Sequence, residues 1–214
     1  TEDEALAEWQ KHAATLQSLL GKYLVLTADQ VAFNRKEQHW VDLYAFEELL
    51  ADQEMAAEQK LEKLRALYRG DLMQDSERTN GPKVKAWLYT QRQTIQTRVQ
   101  ETLQAISGDC VQHNNFSLGQ KATHWWLMLN TTSELAHRQR MLLFWHSKQR
   151  SAALLQYNRC VEALAKELGT EPSEETRALY EKIQNDAIPL ANGLTSQMQS
   201  QPSHPRHNLP LRLT

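Results

Sequence analysis

Residues 1–188 hold only two prolines, Pro82 and Pro172, and the other four lie at or beyond position 189. Glycine is as sparse, with seven in 214 residues. Both residues gather where a chain turns, because glycine takes left-handed backbone angles freely and proline pre-sets a turn dihedral. A sandwich or barrel of short strands needs turns at close intervals. So few breakers exclude most all-β architectures and point to long helices. A chain of this length forms one large domain or two small ones and buries a core without a disulfide or metal staple.

The remaining bulk features narrow the function classes. Apolar runs such as Met141–Trp145 are a few residues long, against the roughly 20 needed to span a bilayer, so no membrane partner is expected. No charged-then-apolar leader opens the chain. Cys110 and Cys160 lack metal-ligand spacing and read as buried, reduced thiols of a cytoplasmic protein. A net charge of −2 offers no global attraction to nucleic acid.

Apolar residues recur at helical spacing at Leu6, Trp9, Ala13, Leu16, Leu19 and Leu20, and Gly21 sits where a C-terminal cap belongs. Tyr23–Thr27 and Val31–Asn34 flank a polar turn and predict a hairpin. From Trp40 the pattern is helical, with Val41, Phe46, Leu49 and Leu50 on one face, and Leu61, Leu64, Leu67 and Tyr68 on the next, closed by Gly70. A polar loop over 71–81 precedes a long helix from about Val84 to His113, with Gly108 its weak point. Further helices are expected over 116–129, 133–146, 151–168 and from the N-cap Ser173 to about Asp186. The tail beyond Pro189 has no acidic residue and reads as a linker.

Setting Phe116 over Arg150 aligns Gly119 with Ala153, Thr123 with Tyr157 and Trp126 with Cys160. That offset of 34 matches the tetratricopeptide period of about 34 residues. Small residues at the Gly119/Ala153 position allow two helices to approach closely; an irregular helical bundle remains the alternative.

No catalytic signature emerges. Gly21-Lys22 lacks the earlier glycine and the following Ser/Thr of a phosphate loop, and GxSxG, HExxH and paired CxxC are absent. His12, His39, His113 and His124 are scattered, while His137 and His146 fall nine apart on opposite sides of one helix. No cofactor and no metal are implied, and the chain is not expected to be an enzyme. Trp40, Trp87 and Trp145 stand at helical positions consistent with packing. Trp125 and Trp126 are adjacent, so one is expected in the core and the other under a neighbouring repeat or along a groove.

Charge is segregated. Residues 41–80 carry ten acids against five bases, a net of −5. Residues 134–160 carry Arg138, Arg140, Lys148, Arg150 and Arg159 against Glu134 alone, a net of +4. A basic surface on helical repeats suits an acidic protein partner or a phosphate backbone; ordinary solvated helix faces are the alternative.

WVDLYAFEELL at Trp40–Leu50 resembles the opening of the bacterial transcriptional activator domain, and ALYRGDLM at Ala66–Met73 resembles a later part. Trp87 and Arg92 fall where that family has a Trp and an Arg. ELAHRQRM at Glu134–Met141, SAALLQYNRC at Ser151–Cys160 and ELGTEPSEETRALYEKI at Glu167–Ile183 are the closest segments. The resemblance covers about residues 36–187. The family's usual glycine in the third repeat turn is Lys148 here, and its proline near Thr131 is missing.

The resemblance implies an all-α fold of tetratricopeptide-like antiparallel repeats, in regulators of the SARP type. Residues 1–35 look like the last helix and wing of a winged-helix domain, 36–188 like the activator domain, and 189–214 like a linker leading to an ATPase domain. Helix 2–20 offers only Lys11 and His12 against four acids, so DNA contact is expected only through a fuller winged-helix domain. The implied role is a regulatory protein-interaction module that couples a partner or signal to transcription activation. RNA polymerase, a second copy or an adjoining ATPase are the candidate partners. Arg138, Arg140, Arg150, Arg159, Trp125 and Trp126 are the expected contact residues. A generic tetratricopeptide scaffold unrelated to transcription is the alternative, and direct nucleic-acid binding by the basic helices a third reading.

Overall fold

In the computed structural model, which describes residues 2–27, 30–74 and 81–188, the chain divides into two units, 1–52 and 53–214. The expected linker beyond residue 188 and most of the polar loop before Pro82 lie outside the described residues.

The first unit opens with helix α1 (Glu2–Leu20). Its stripe Trp9, Ala13 and Leu16 is half-buried, while Leu6, Leu19 and Leu20 face water. Gly21 leaves the helix at φ +46°, a left-handed angle that any Cβ would strain. A short 3-10 turn then leads to the expected hairpin, β1 (Leu24–Leu26) antiparallel to β2 (Val31–Phe33). Asn34 Nδ2 donates to the Lys22 carbonyl at 2.8 Å and ties the ribbon's two ends together. Phe33, His39 and Tyr44 then stack edge to face, joining the hairpin to helix α2 (Asp42–Ala51). Trp40 precedes α2 and is 73% exposed. The helical placing expected for it is therefore corrected: it lies in the lead-in, where no neighbouring turn covers its ring.

The second unit is built from α3 (Ala57–Leu67), α4 (Pro82–Gln112), α5 (Phe116–Leu129), α6 (Glu134–His146), α7 (Arg150–Glu167) and α8 (Glu174–Gln184). Connections of three to six residues separate the helices from α4 onward, which suits antiparallel neighbours. Each packs on its predecessor, and α6 also touches α4 and α8. Val99, Leu103, Ile106 and Cys110 form a buried stripe on α4 at steps of four, three and four, the spacing that keeps side chains on one helix face. The N-terminal half of α4 is different. Trp87 is 53% exposed beside an exposed Val84 and Tyr89, so its expected packing is corrected as well.

The repeat is visible in the helix starts: α5 begins at Phe116 and α7 at Arg150. Gly119 is a true close approach, since a Cβ there would sit 2.5 Å from Leu143 Cδ2 and 2.9 Å from Cys110 Cβ. The second helices drift off the period, because α7 is longer than α5 and the connection after it is longer too.

Several helix ends turn without glycine. Asn114, Lys148 and Asp186 all hold positive φ, at 57°, 61° and 52°. After α6, the Lys148 amide donates to Trp145 O at 2.9 Å and the Gln149 amide to Phe144 O at 2.8 Å, a Schellman closure. Thus the position at which the resemblance leads one to expect glycine holds a left-handed backbone angle although the residue is lysine.

Candidate partner-binding groove

The last two helices are joined by a polar clasp. Glu134, in the first turn of α6, accepts from the Ser173 amide at 2.9 Å, from Ser173 Oγ at 2.6 Å and from Thr176 Oγ1. Ser173 was expected to cap α8 with its side chain; its hydroxyl bonds Glu134 instead. Arg138, one turn along α6, donates to Thr176 Oγ1 at 3.0 Å and pairs with Glu175 at 3.0 Å. Burial pushes the Glu134 carboxyl up, but the Ser173 and Thr176 hydrogen bonds and the Arg138 charge together hold it below its ordinary value. Arg138 is therefore occupied within the chain.

Arg150 is occupied in a similar way. It donates to the Ile183 and Gln184 carbonyls at the C-terminus of α8 and lies 3.4 Å from the Asp186 carboxylate. This guanidinium closes a helix end whose carbonyls would otherwise go unpaired.

Of the adjacent tryptophans, one was expected in the core and the other under a neighbouring repeat or along a groove; both are largely buried. Trp125 is 8% exposed and Trp126 2%. Adjacent residues point about 100° apart, but α5 is packed between α4 and α6 and so buries more than one face. Trp125 lies against Tyr68, ring centroids 6.5 Å apart. Trp125 also lines a cavity of about 360 Å³ with Tyr68, Gln96, Gln100 and Met128, the groove position expected for one of the pair, while Trp126 is in the core.

Arg140 and Arg159 behave differently. Arg140 donates one Nη1 to Gln120 O at 2.7 Å and lays its guanidinium over the Phe144 ring at 5.1 Å. Arg159 is exposed on α7 and makes no hydrogen bond or ion pair among the described residues. The two guanidiniums share a cavity of about 330 Å³, lined also by Leu127, Met128, His137 and Gln156. No acidic side chain lines it. Burial lowers the Arg140 pKa, and the neighbouring Arg159 charge lowers it further.

The floor of this groove is a residue pair that the sequence reading passed over. His137 is 4% exposed and Gln156 1%. The His137 Nε2–H group donates to the Thr131 carbonyl at 2.9 Å, which leaves Nδ1 to accept from Gln156 Nε2 at 2.6 Å. Burial, the dominant influence, and the Arg140 charge lower its pKa and keep it neutral, against the opposing pull of these bonds and Glu134. Gln156 Oε1 is buried with no hydrogen-bond partner among the described residues. The available signal was Gln156 on the small, apolar face of α7 between Ala153 and Cys160, an expensive place for an amide without partners.

No group of three or more His, Cys, Asp or Glu side chains that could hold a metal occurs among the described residues. No helix there is long and apolar enough to cross a membrane. A sequence model of the family described as bacterial transcriptional activator domain matches residues 38–184. No curated protein matches the chain.

Proposed function

Since the chain belongs to the bacterial transcriptional activator domain family, we propose that it is a non-enzymatic, cytoplasmic module that couples binding of a protein partner to activation of transcription. The match over residues 38–184 carries this reading. Two features of the groove support a binding role: no acidic side chain is in its lining, and one of its arginines, Arg159, makes no hydrogen bond or ion pair among the described residues. Arg140 serves the fold through Gln120 and Phe144, whereas a second cation beside it adds like-charge repulsion to the array.

The contact residues proposed from the sequence therefore narrow to Arg140 and Arg159. Arg138, Arg150, Trp125 and Trp126 hold the fold together. Residues 1–35 read as the last helix and wing of a winged-helix domain, so DNA is contacted through a fuller form of that domain. The partner is RNA polymerase, a second copy or an adjoining ATPase domain.

The test replaces residues 53–188, in a regulator carrying this chain, with a generic tetratricopeptide block of equal length. Reporter transcription should fall to background while promoter binding in a gel shift is retained. Undiminished transcription would show that any helical spacer suffices, and the regulatory reading would fall.

A further inference from the structure

The groove between α5, α6 and α7 also says what kind of group it takes. Of the basic residues that give 134–160 its surplus charge, Arg138 and Arg150 are neutralised within the chain. The groove's own charge rests on Arg140 and Arg159, neither ion-paired among the described residues, and one carboxylate tied to the lining is Glu167, which accepts from Thr131 at 2.7 Å. Arg140 spends Nη1 on the Gln120 carbonyl and Thr123 Oγ1, and no described hydrogen bond engages its other nitrogens. Arg140 and Arg159 line one cavity with no acidic side chain in its lining, and the Arg159 charge lowers the Arg140 pKa. Together they form a receptor for one anion, and planar forks of this kind match a carboxylate or a phosphate.

The surroundings favour a peptide over a free anion. Leu127 and Met128 form an apolar wall beside the cations, and Met128 is 64% exposed. A small anion seated between the arginines leaves that methionine in water. A chain that carries its acid between apolar residues covers it. Flexible methionine at a rim suits an adaptable protein surface.

We infer that this groove binds an acidic segment of a partner protein, one Asp or Glu carboxylate lying between Arg140 and Arg159 and an adjacent apolar side chain resting on Leu127 and Met128. The inference rests on the protein-binding reading above and adds the partner's chemistry and the place where it docks.

The full chain is titrated by calorimetry with the blocked peptide acetyl-Leu-Glu-Leu-amide and with its Gln counterpart. The Glu peptide should bind at least tenfold more tightly, and its affinity should fall as salt rises, because the contact is ionic. Arg159→Glu, at an exposed position with no internal partner among the described residues, should remove that preference without changing the circular dichroism spectrum. Met128→Ser should weaken both peptides about equally. Equal affinity for the two peptides, an unaltered preference in Arg159→Glu, or displacement of the peptide by acetate at equal concentration would each overturn the inference. Reporter transcription separates it from the wider reading. Arg159→Glu that loses peptide binding yet activates normally keeps the groove and sinks its regulatory use; lost activation with intact peptide binding does the reverse.

Discussion

At the scale of single residues, charged side chains that look alike in sequence divide by what already holds them. Arg138 and Arg159 are both arginines on basic helices, but one donates to Thr176 and pairs with Glu175 while the other faces water. The difference was not legible beforehand, because Ser173 and Thr176 reach Glu134 across about 40 residues of chain. Two family motifs, ELAHRQRM and ELGTEPSEETRALY, meet in this clasp, so Glu134 and Arg138 of the first motif serve a structural joint, while Arg140 of the same motif lines the groove. Glu134→Ala should cost about 1–3 kcal/mol, since it strands hydroxyl and amide donors that bonded a charged acceptor. Urea denaturation measures that loss; a change below 0.5 kcal/mol, about the scale of an exposed pair, would show the clasp to be ornamental. His137 supplies a pH dependence. Its folded pKa is depressed by burial first, so the unfolded chain binds the extra proton. Its stability contribution is complete above the unfolded value of about 6.5 and is lost as pH falls from there toward the depressed folded value. Arg140 reinforces the shift and Glu134 opposes it, while His146, also depressed by burial, adds a loss of the same sign. Urea midpoints between pH 7.5 and 5 should decline, and His137→Gln should start lower but decline less.

At the scale of elements, helix placement was largely legible because a 3.6-residue period needs no knowledge of tertiary contacts. The expected spans 2–20, 116–129 and 133–146 are met within a residue or two by α1, α5 and α6. What the residue pattern did not show was the backbone angle at these helix ends, since Asn114, Lys148 and Asp186 take left-handed angles with a Cβ attached. Low glycine content therefore signalled long helices correctly but undercounted the sharp turns between them. Left-handed angles strain a non-glycine residue by about 1–2 kcal/mol, and glycine's extra unfolded-state freedom takes part of that back. Lys148→Gly should consequently stabilise the chain by about 0.5–1 kcal/mol. Two helical glycines make the complementary case. Gly108 has nothing within 4 Å of an added Cβ, whereas Gly119 would drive one into Leu143 and Cys110. Gly108→Ala should gain up to about 1 kcal/mol from helix propensity; Gly119→Ala should lose about 1–3 kcal/mol by overpacking. Thermal melts of the pair decide the matter, and a stabilised Gly119→Ala would refute the close approach that the 34-residue alignment also implied.

At the scale of the whole molecule, repeat arrays open from their ends unless something ties distant helices together. Here α6 contacts α4, α5, α7 and α8, and the Glu134 clasp fixes the start of α8 to it. The core around Met141, Trp145, Ala153 and Ile183 is shared among α6, α7 and α8, and Trp145 Nε1 donates to the Ile188 carbonyl at 3.1 Å. Those ties argue that residues 53–188 unfold as one cooperative block. The two cysteines report on it directly, since Cys110 is on α4 and Cys160 on α7, at 1% and 0% exposure. Burial first, and Asp109 second, push the Cys110 thiol up to about 11. Burial and then Glu134 push Cys160 up to about 12, against a smaller pull from Arg138. At pH 8 neither thiol offers much thiolate to a reagent, so labelling has to wait for the helices around it to open. Single-cysteine variants Cys110→Ala and Cys160→Ala should therefore react with a chromogenic disulfide at equal rates once the reagent is in excess. Both rates should rise with urea along one slope, because one opening event exposes both sites. Faster labelling of Cys160 with a shallower slope would mean that α7 and α8 fray on their own, and that the clasp does not bind the last repeat to the rest.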